Sequence, residues 1–188
     1  MAEYLDLYDR ELRPTGEKWE RNDSVPIPEG KFHYVVNILC RNKEGKLLIT
    51  KRHPDKPYGG WWEISGGSVQ AGEKPLDGAV RELFEETGLK AEPSELRYFG
   101  QIIRERSGCI HNFYYYEGDF SEKDIVLQEG ETVDCRLVTP KEMEEMSERR
   151  EFLDFSFNRL RAVFADLFFM ATPHNHCASD AQSEISSE

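Results

Sequence analysis

Between Gly67 and Leu89 five acidic side chains, Glu73, Asp77, Glu82, Glu85 and Glu86, stand against two basic ones, Lys74 and Arg81. Pro75 suits the first turn of a helix and Gly88 the left-handed residue that ends one, so the segment is predicted to be helical from Pro75 to about Thr87. At about 100° per residue, Glu82, Glu85 and Glu86 fall within roughly a third of the circumference, while Leu76, Ala79, Val80 and Leu83 occupy the opposite side. One face packs and the other concentrates carboxylates. Like charges this close repel by a few tenths of a kcal/mol, roughly, for each neighbouring pair on a solvated helix. An ordinary exposed helix tolerates that cost. Hard oxygen donors gathered for Mg²⁺ or Mn²⁺ would be relieved of it by the ion.

The remaining spacing separates these readings. Gly67 is followed after five residues by Glu73 and after seven more by Arg81-Glu82, then Leu83, one residue, Glu85-Glu86, one residue, Gly88 and Leu89. This order resembles, position for position, the signature of the Nudix hydrolases. The resemblance implies an α/β fold, a mixed β-sheet sandwiched between α-helices, with residues 67–89 as a loop-helix-loop. It implies a catalytic set of Glu73, Arg81, Glu82 and Glu85. Glu82 and Glu86 would bind the metal, with Glu85 as a further ligand or as the partner of Arg81. The Gly66 carbonyl would complete the coordination, and Glu73 would reach in from the loop to orient the attacking water. The activity implied is Mg²⁺-dependent, with Mn²⁺ as the alternative ion: water attacks at phosphorus and cleaves the pyrophosphate bond of a nucleoside diphosphate derivative or another small organic diphosphate.

Families of this kind draw a further carboxylate from a later loop, and Glu131, or Glu129 two residues earlier, is the candidate here. Arg52, ahead of the glycine-rich loop, and Arg104 and Arg106, on a later strand, are candidates to meet a substrate phosphate. Trp62, with Tyr58 and Trp61, offers a surface for stacking on a flat group. For the arginines the alternative is a solvated surface charge, and for the aromatics it is core packing. Outside the box, Tyr4-Leu5-Asp6-Leu7-Tyr8-Asp9, Gly16, Phe32-His33 and Trp62 resemble the Nudix branch that includes isopentenyl-diphosphate isomerase. That isomerase needs a cysteine just after the tryptophan and several histidine ligands. Residues 62–68 have neither, and His33 and the Glu129/Glu131 pair are all that resembles its site. An isomerase-like enzyme and a non-catalytic nucleotide-sensing module therefore stand as alternatives to hydrolysis.

The elements that must position these groups follow from periodicity. Phe32 to Leu39 and Lys46 to Thr50, divided by Asn42-Lys43-Glu44-Gly45, read as a hairpin central to a sheet. Leu96 to Arg106, Cys109 to Tyr116 and Val133 to Val138 read as further strands, and Pro140 opens an acidic helix. Glu151 to Met170 carries apolar residues at helical spacing. Residues 3–21 read as a peripheral strand pair turning at Pro14-Thr15-Gly16. The expected organisation is an N-terminal extension over 1–30, suited to a swapped or interface-forming arm of a homodimer, a Nudix domain over 31–171, and a disordered tail over 172–188.

The chain has 188 residues and a net charge of −12, enough for one domain with a proper core and a poor match to phosphate backbones, so no nucleic-acid partner is expected. No apolar run approaches the roughly 20 residues of a membrane span, and the N-terminus has no secretory pattern, so a cytoplasmic protein with no membrane partner is expected. Cys40, Cys109, Cys135 and Cys177 lack the paired spacing of a zinc site, and His174, His176 and Cys177 read as incidental in a polar tail.

Overall fold

The computed structural model describes residues 2–22 and 25–165, without the side chains of Asp154 and Phe155. In chain order the elements are β1 (Tyr4–Tyr8), β2 (Pro14–Glu20), β3 (His33–Asn42), β4 (Leu47–Arg52), β5 (Trp62–Glu63), β6 (Ser65–Ser68), α1 (Pro75–Thr87), β7 (Arg97–Arg104), β8 (Cys109–Gly118), β9 (Thr132–Val138), α2 (Pro140–Glu148) and α3 (Asp154–Val163).

The seven strands from β3 onward form one mixed sheet: β3 and β8 run parallel from His33↔Cys109 to Asn42↔Gly118, and the other pairings are antiparallel. Both faces are covered, as an α/β sandwich requires. Alternation along the strands sorts the side chains. Val36, Ile38 and Cys40 of β3, with Tyr114 and Tyr116 of β8, meet Ala79 and Leu83 of α1. Leu39, Phe113 and Tyr115 point the other way, to Met143 and Met146 of α2 and Phe157 and Leu160 of α3.

Three local expectations are corrected. The β3–β4 hairpin pairs only at Arg41↔Leu47; beyond it the strands part, β3 taking β6 and β8 as neighbours and β4 taking β5 and β9. That divergence leaves the β3 edge to β6, which carries Gly66 and Gly67. The N-terminal pair turns at Asp9 to Arg13, with Leu12 at φ 64°, and Pro14-Thr15-Gly16 already belongs to β2. Glu151 to Leu153 is extended rather than helical, because the Trp62 N–H donates to Glu151 O and the Leu153 N–H to Trp62 O. The helix starts at Asp154, and residues 166–170 and the tail cluster of His174, His176 and Cys177 lie outside the described residues.

The N-terminal hairpin is tied to the same chain. Tyr8 and Phe32 exchange backbone hydrogen bonds, the Ala71 N–H donates to Tyr4 O, and the Gly72 N–H donates to an Asp6 carboxylate oxygen at 2.6 Å. Leu5 and Leu7 are fully buried beneath it.

Candidate active site

Helix α1 forms where the pattern places it. Pro75 sits in its first turn and Gly88 (φ 72°) ends it by donating its N–H to Phe84 O. Ala79 and Leu83 face the core, and the opposite side turns Glu82, Glu85 and Glu86 toward Gly66 and Gly67 of β6. These residues line a cavity of about 210 Å³, which Arg52 at the end of β4 and Lys56 beyond it, Gln128 and Glu131 from the loop before β9, and Glu3 and Arg21 at the ends of the N-terminal hairpin help to complete.

The two halves of the box do different work. Arg81 donates to Glu73 through Nε and Nη2 at 2.9 Å each, to Glu82 at 2.7 Å, to Glu85 at 2.9 Å and to the Ser68 carbonyl at 3.0 Å. Glu73 also accepts from the Gln70 N–H. Burial opposes ionisation of Glu73, but these hydrogen bonds hold its carboxyl below the usual range. Glu73 is thus absent from the cavity wall: both its oxygens are occupied in locking the loop onto the helix. Arg81 does line the cavity, its guanidinium surrounded by acceptors of this chain.

Glu86 contrasts with this. It is 9% exposed and accepts the Gly66 N–H at 3.0 Å. Burial, then the charges of Glu63 and Glu82, push its carboxyl up to about 8. Burial likewise raises Glu82 and Glu63 against their arginine partners. Three carboxyls are thus held close together where burial resists their ionisation. Gly66 contributes its N–H to this site, donated to Glu86. Its neighbour Gly67 packs against the acid, since an added Cβ would lie 2.4 Å from the Glu82 carboxyl carbon.

Among the described residues no three His, Cys, Asp or Glu side chains stand ready-made as a metal cage. Arg81 and the Gly66 N–H hold Glu82 and Glu86 by one oxygen each. The donor set still fits a hard divalent cation: carboxylate oxygens in a polar cavity, protonated or repelling one another without one.

Of the other predicted residues, Arg52 lines the cavity, its guanidinium 2.5 Å from Glu63. Glu131 lines it too, paired with Lys56. Glu85 lines it as the exposed partner of Arg81. Trp62 does not: it is 4% exposed in the core between Ile49 and Phe152, with the Arg136 guanidinium 4.5 Å from its ring centre. Arg104, at the end of β7, adds its charge to that around His111 and Arg159, and Arg106 borders a separate surface cleft with Pro26 to Lys31. His33 is buried beside Cys109 and does not line this cavity, and Glu129 is exposed in a turn, so the isomerase-like constellation is not assembled. Sequence reasoning missed Glu63, Lys56, Glu3 and Arg21. Glu63 carried a signal in hindsight, a carboxylate between Trp62 and Ile64 on an otherwise apolar approach to the glycine loop.

Comparison with known proteins agrees with this geometry. The NUDIX domain model matches residues 31–156, and the chain belongs to that family of pyrophosphohydrolases. An uncharacterised Nudix hydrolase of Listeria monocytogenes is 31% identical over 159 residues, covering 82% of this chain and 90% of that one. Another from Clostridium acetobutylicum is 32% identical over 181 residues, covering 89% and 81%. A crystal structure from Deinococcus radiodurans shares the fold at a TM-score of 0.72 and 22% identity, covering 86% of this chain and 99% of that one. None of these likenesses points to the isomerase-like branch. Among the described residues no helix is long and apolar enough to cross a membrane.

Proposed function

We propose that this chain is a divalent-cation-dependent hydrolase that cleaves the pyrophosphate bond of a small organic diphosphate, most simply a nucleoside diphosphate derivative, by attack of water at phosphorus. The observation that carries this is the group of buried carboxyls Glu63, Glu82 and Glu86 around Gly66 and Gly67, of which Glu82 is tied to the Glu73–Arg81 clamp and Glu86 has no cationic partner of its own. Glu82 and Glu86 would hold the ion. Mg²⁺, or Mn²⁺ in its place, would supply charge neutralisation of the diphosphate and Lewis acidity toward its oxygens and toward water.

This chain's own groups do the rest. Arg81 and Glu73 fix the loop and the register of the carboxylates. Glu131, held by Lys56 across the cavity, stands where it can accept the proton of the attacking water. Arg52, steadied by Glu63, faces the substrate phosphates. Phosphate release from a panel of nucleoside diphosphate derivatives and non-nucleotide diphosphates, with Mg²⁺ present, tests the reading. A Glu86→Gln variant should lose more than about 100-fold in kcat, since even residues one step removed from a metal cost 10–100-fold. Equal activity in the variant would sink it.

A further inference from the structure

The loop that carries Glu73 to the clamp is closed only in part by its own residues. The Gln70 N–H donates to the Glu73 carboxylate and the Glu73 N–H to Gln70 O, both at 3.0 Å. The two N–H groups between them are left for other acceptors, and the N-terminal hairpin supplies both. Ala71 donates to Tyr4 O at 2.7 Å, and Gly72, which turns the loop at φ 85°, donates to an Asp6 carboxylate oxygen at 2.6 Å. The strand that offers these acceptors is itself anchored. Leu5 and Leu7 on either side of Asp6 are buried, and Tyr8 exchanges backbone hydrogen bonds with Phe32. The Tyr8 ring also meets the Tyr34 ring edge-on at 4.6 Å, and Tyr34 O accepts the Val69 N–H just ahead of the loop. Asp6 therefore stands on a rigid mount. The hairpin precedes residues 31–156, so the family match gives it no role.

Resting on the hydrolase reading above, we infer that Asp6 is a positioning residue for the reaction: it pins Gly72 so that Glu73 stays on Arg81 and Arg81 holds Glu82 toward the ion. The contacts run without a gap. Asp6 holds Gly72, the next residue Glu73 meets the guanidinium with both oxygens, and Arg81 Nη1 reaches Glu82 at 2.7 Å. Hydrogen bonds weaken steeply as they lengthen and bend, so drift of the loop at Gly72 is passed directly to Glu73. An ionised acceptor makes the first link stronger than a neutral one would. The Gly72 contact lies on an exposed side, so water can satisfy that N–H once Asp6 is removed, and the fold loses little. Water cannot fix where the loop stands. The loss therefore falls on the geometry of the carboxylates, where partners one step behind a metal ligand are worth about 10–100-fold in affinity or activity.

Mg²⁺ alone, titrated calorimetrically into the full chain, tests this without turnover. Asp6→Ala should bind the ion roughly tenfold more weakly than wild type. Asp6→Leu, which keeps the branched shape and lacks the acceptor, should match it. Asp6→Asn retains an oxygen for the Gly72 N–H and should recover to within about threefold of wild type. Asp9→Ala is the control. It removes the acceptor that holds the Arg13 N–H and guanidinium at the far turn of the same hairpin, and it should bind Mg²⁺ as wild type does. Circular dichroism and thermal unfolding report which variants fold. In the phosphate-release assay Asp6→Ala should lose roughly tenfold in rate at limiting Mg²⁺ and regain most of it at saturation, with KM for the diphosphate nearly unchanged. Wild-type Mg²⁺ binding in folded Asp6→Ala or Asp6→Leu, an equal loss in Asp9→Ala, or an Asp6→Asn no better than Asp6→Ala would each overturn the positioning role. Activity persisting in Glu86→Gln would overturn the hydrolase reading instead.

Discussion

Glu73 and Glu86 carry the same side chain on one segment, 13 residues apart, and the fold treats them oppositely. Glu73 meets a two-pronged guanidinium and a backbone N–H, which hold it ionised. Glu86 meets one backbone N–H and the fields of two other carboxylates, and its proton is retained up to about pH 8. A motif that reads as a uniform run of acids thus divides into a clamp, complete within the chain, and a buried acid that the proposed cation would complete. Satisfied charge fixes geometry, and frustrated charge creates affinity.

The largest change to this contrast should come from the clamp. Arg81→Ala leaves Glu73 unpaired and takes a donor from Glu82 and Glu85. About 2–4 kcal/mol of stability should be lost, somewhat less than for a fully enclosed pair because a fifth of the Arg81 side chain meets solvent. Arg81→Lys should recover little, because an ammonium cannot reproduce the forked contact with Glu73. Urea unfolding of both variants measures this, and a stability loss under about 1 kcal/mol in Arg81→Ala would show that the clamp is ornamental.

Glu86→Gln should act with the opposite sign on stability. A carboxyl whose pKa is raised on folding stabilises the native state fully below its unfolded value near 4.5. That contribution declines as pH climbs toward the folded value of about 8. With a chelator present, wild type should lose stability between pH 5 and 8, and Glu86→Gln should flatten the decline and be more stable at pH 8 by about 3 kcal/mol. Adding Mg²⁺ should raise the wild-type melting temperature and leave the variant's nearly unmoved. A flat wild-type profile would mean that the buried acid finds compensation without the ion.

Local periodicity and punctuation made much of this legible in sequence. Pro75 and Gly88 bound α1, and Asn42 to Gly45 mark the first turn of the sheet. The box showed which acids share a helix face but not which of them Arg81 would bind, because that depends on the loop folding back so that Glu73 lies beside the guanidinium. Glu63, Lys56 and Arg21 were hidden for a related reason: their neighbours Arg52, Glu131 and Glu3 are 11 to 75 residues away, and no local period encodes such pairs. Of the two roles the sequence leaves open for Trp62, stacking on a ligand and packing, the fold takes packing, because the extended bridge to Phe152 draws the ring inside.

The finest probe of the contrast is a single methyl group moved along β6. At Gly66 an added Cβ would lie 2.2 Å from the Val36 carbonyl oxygen, which is sheet backbone and cannot step aside. Gly66→Ala should force β6 away from β3 at a cost of about 1–3 kcal/mol. At Gly67 the nearest obstacle is the Glu82 carboxyl, the far end of a side chain, which can swing clear. Gly67→Ala should therefore change stability by less than about 1 kcal/mol, while displacing a proposed ligand and weakening Mg²⁺ binding roughly tenfold in a calorimetric titration. Neighbouring glycines would then separate the two demands on this strand, Gly66 serving the sheet and Gly67 the ion. A Gly67→Ala protein that binds Mg²⁺ as wild type does would show that Glu82 stands outside the coordination sphere and leave Glu86 as its anchor.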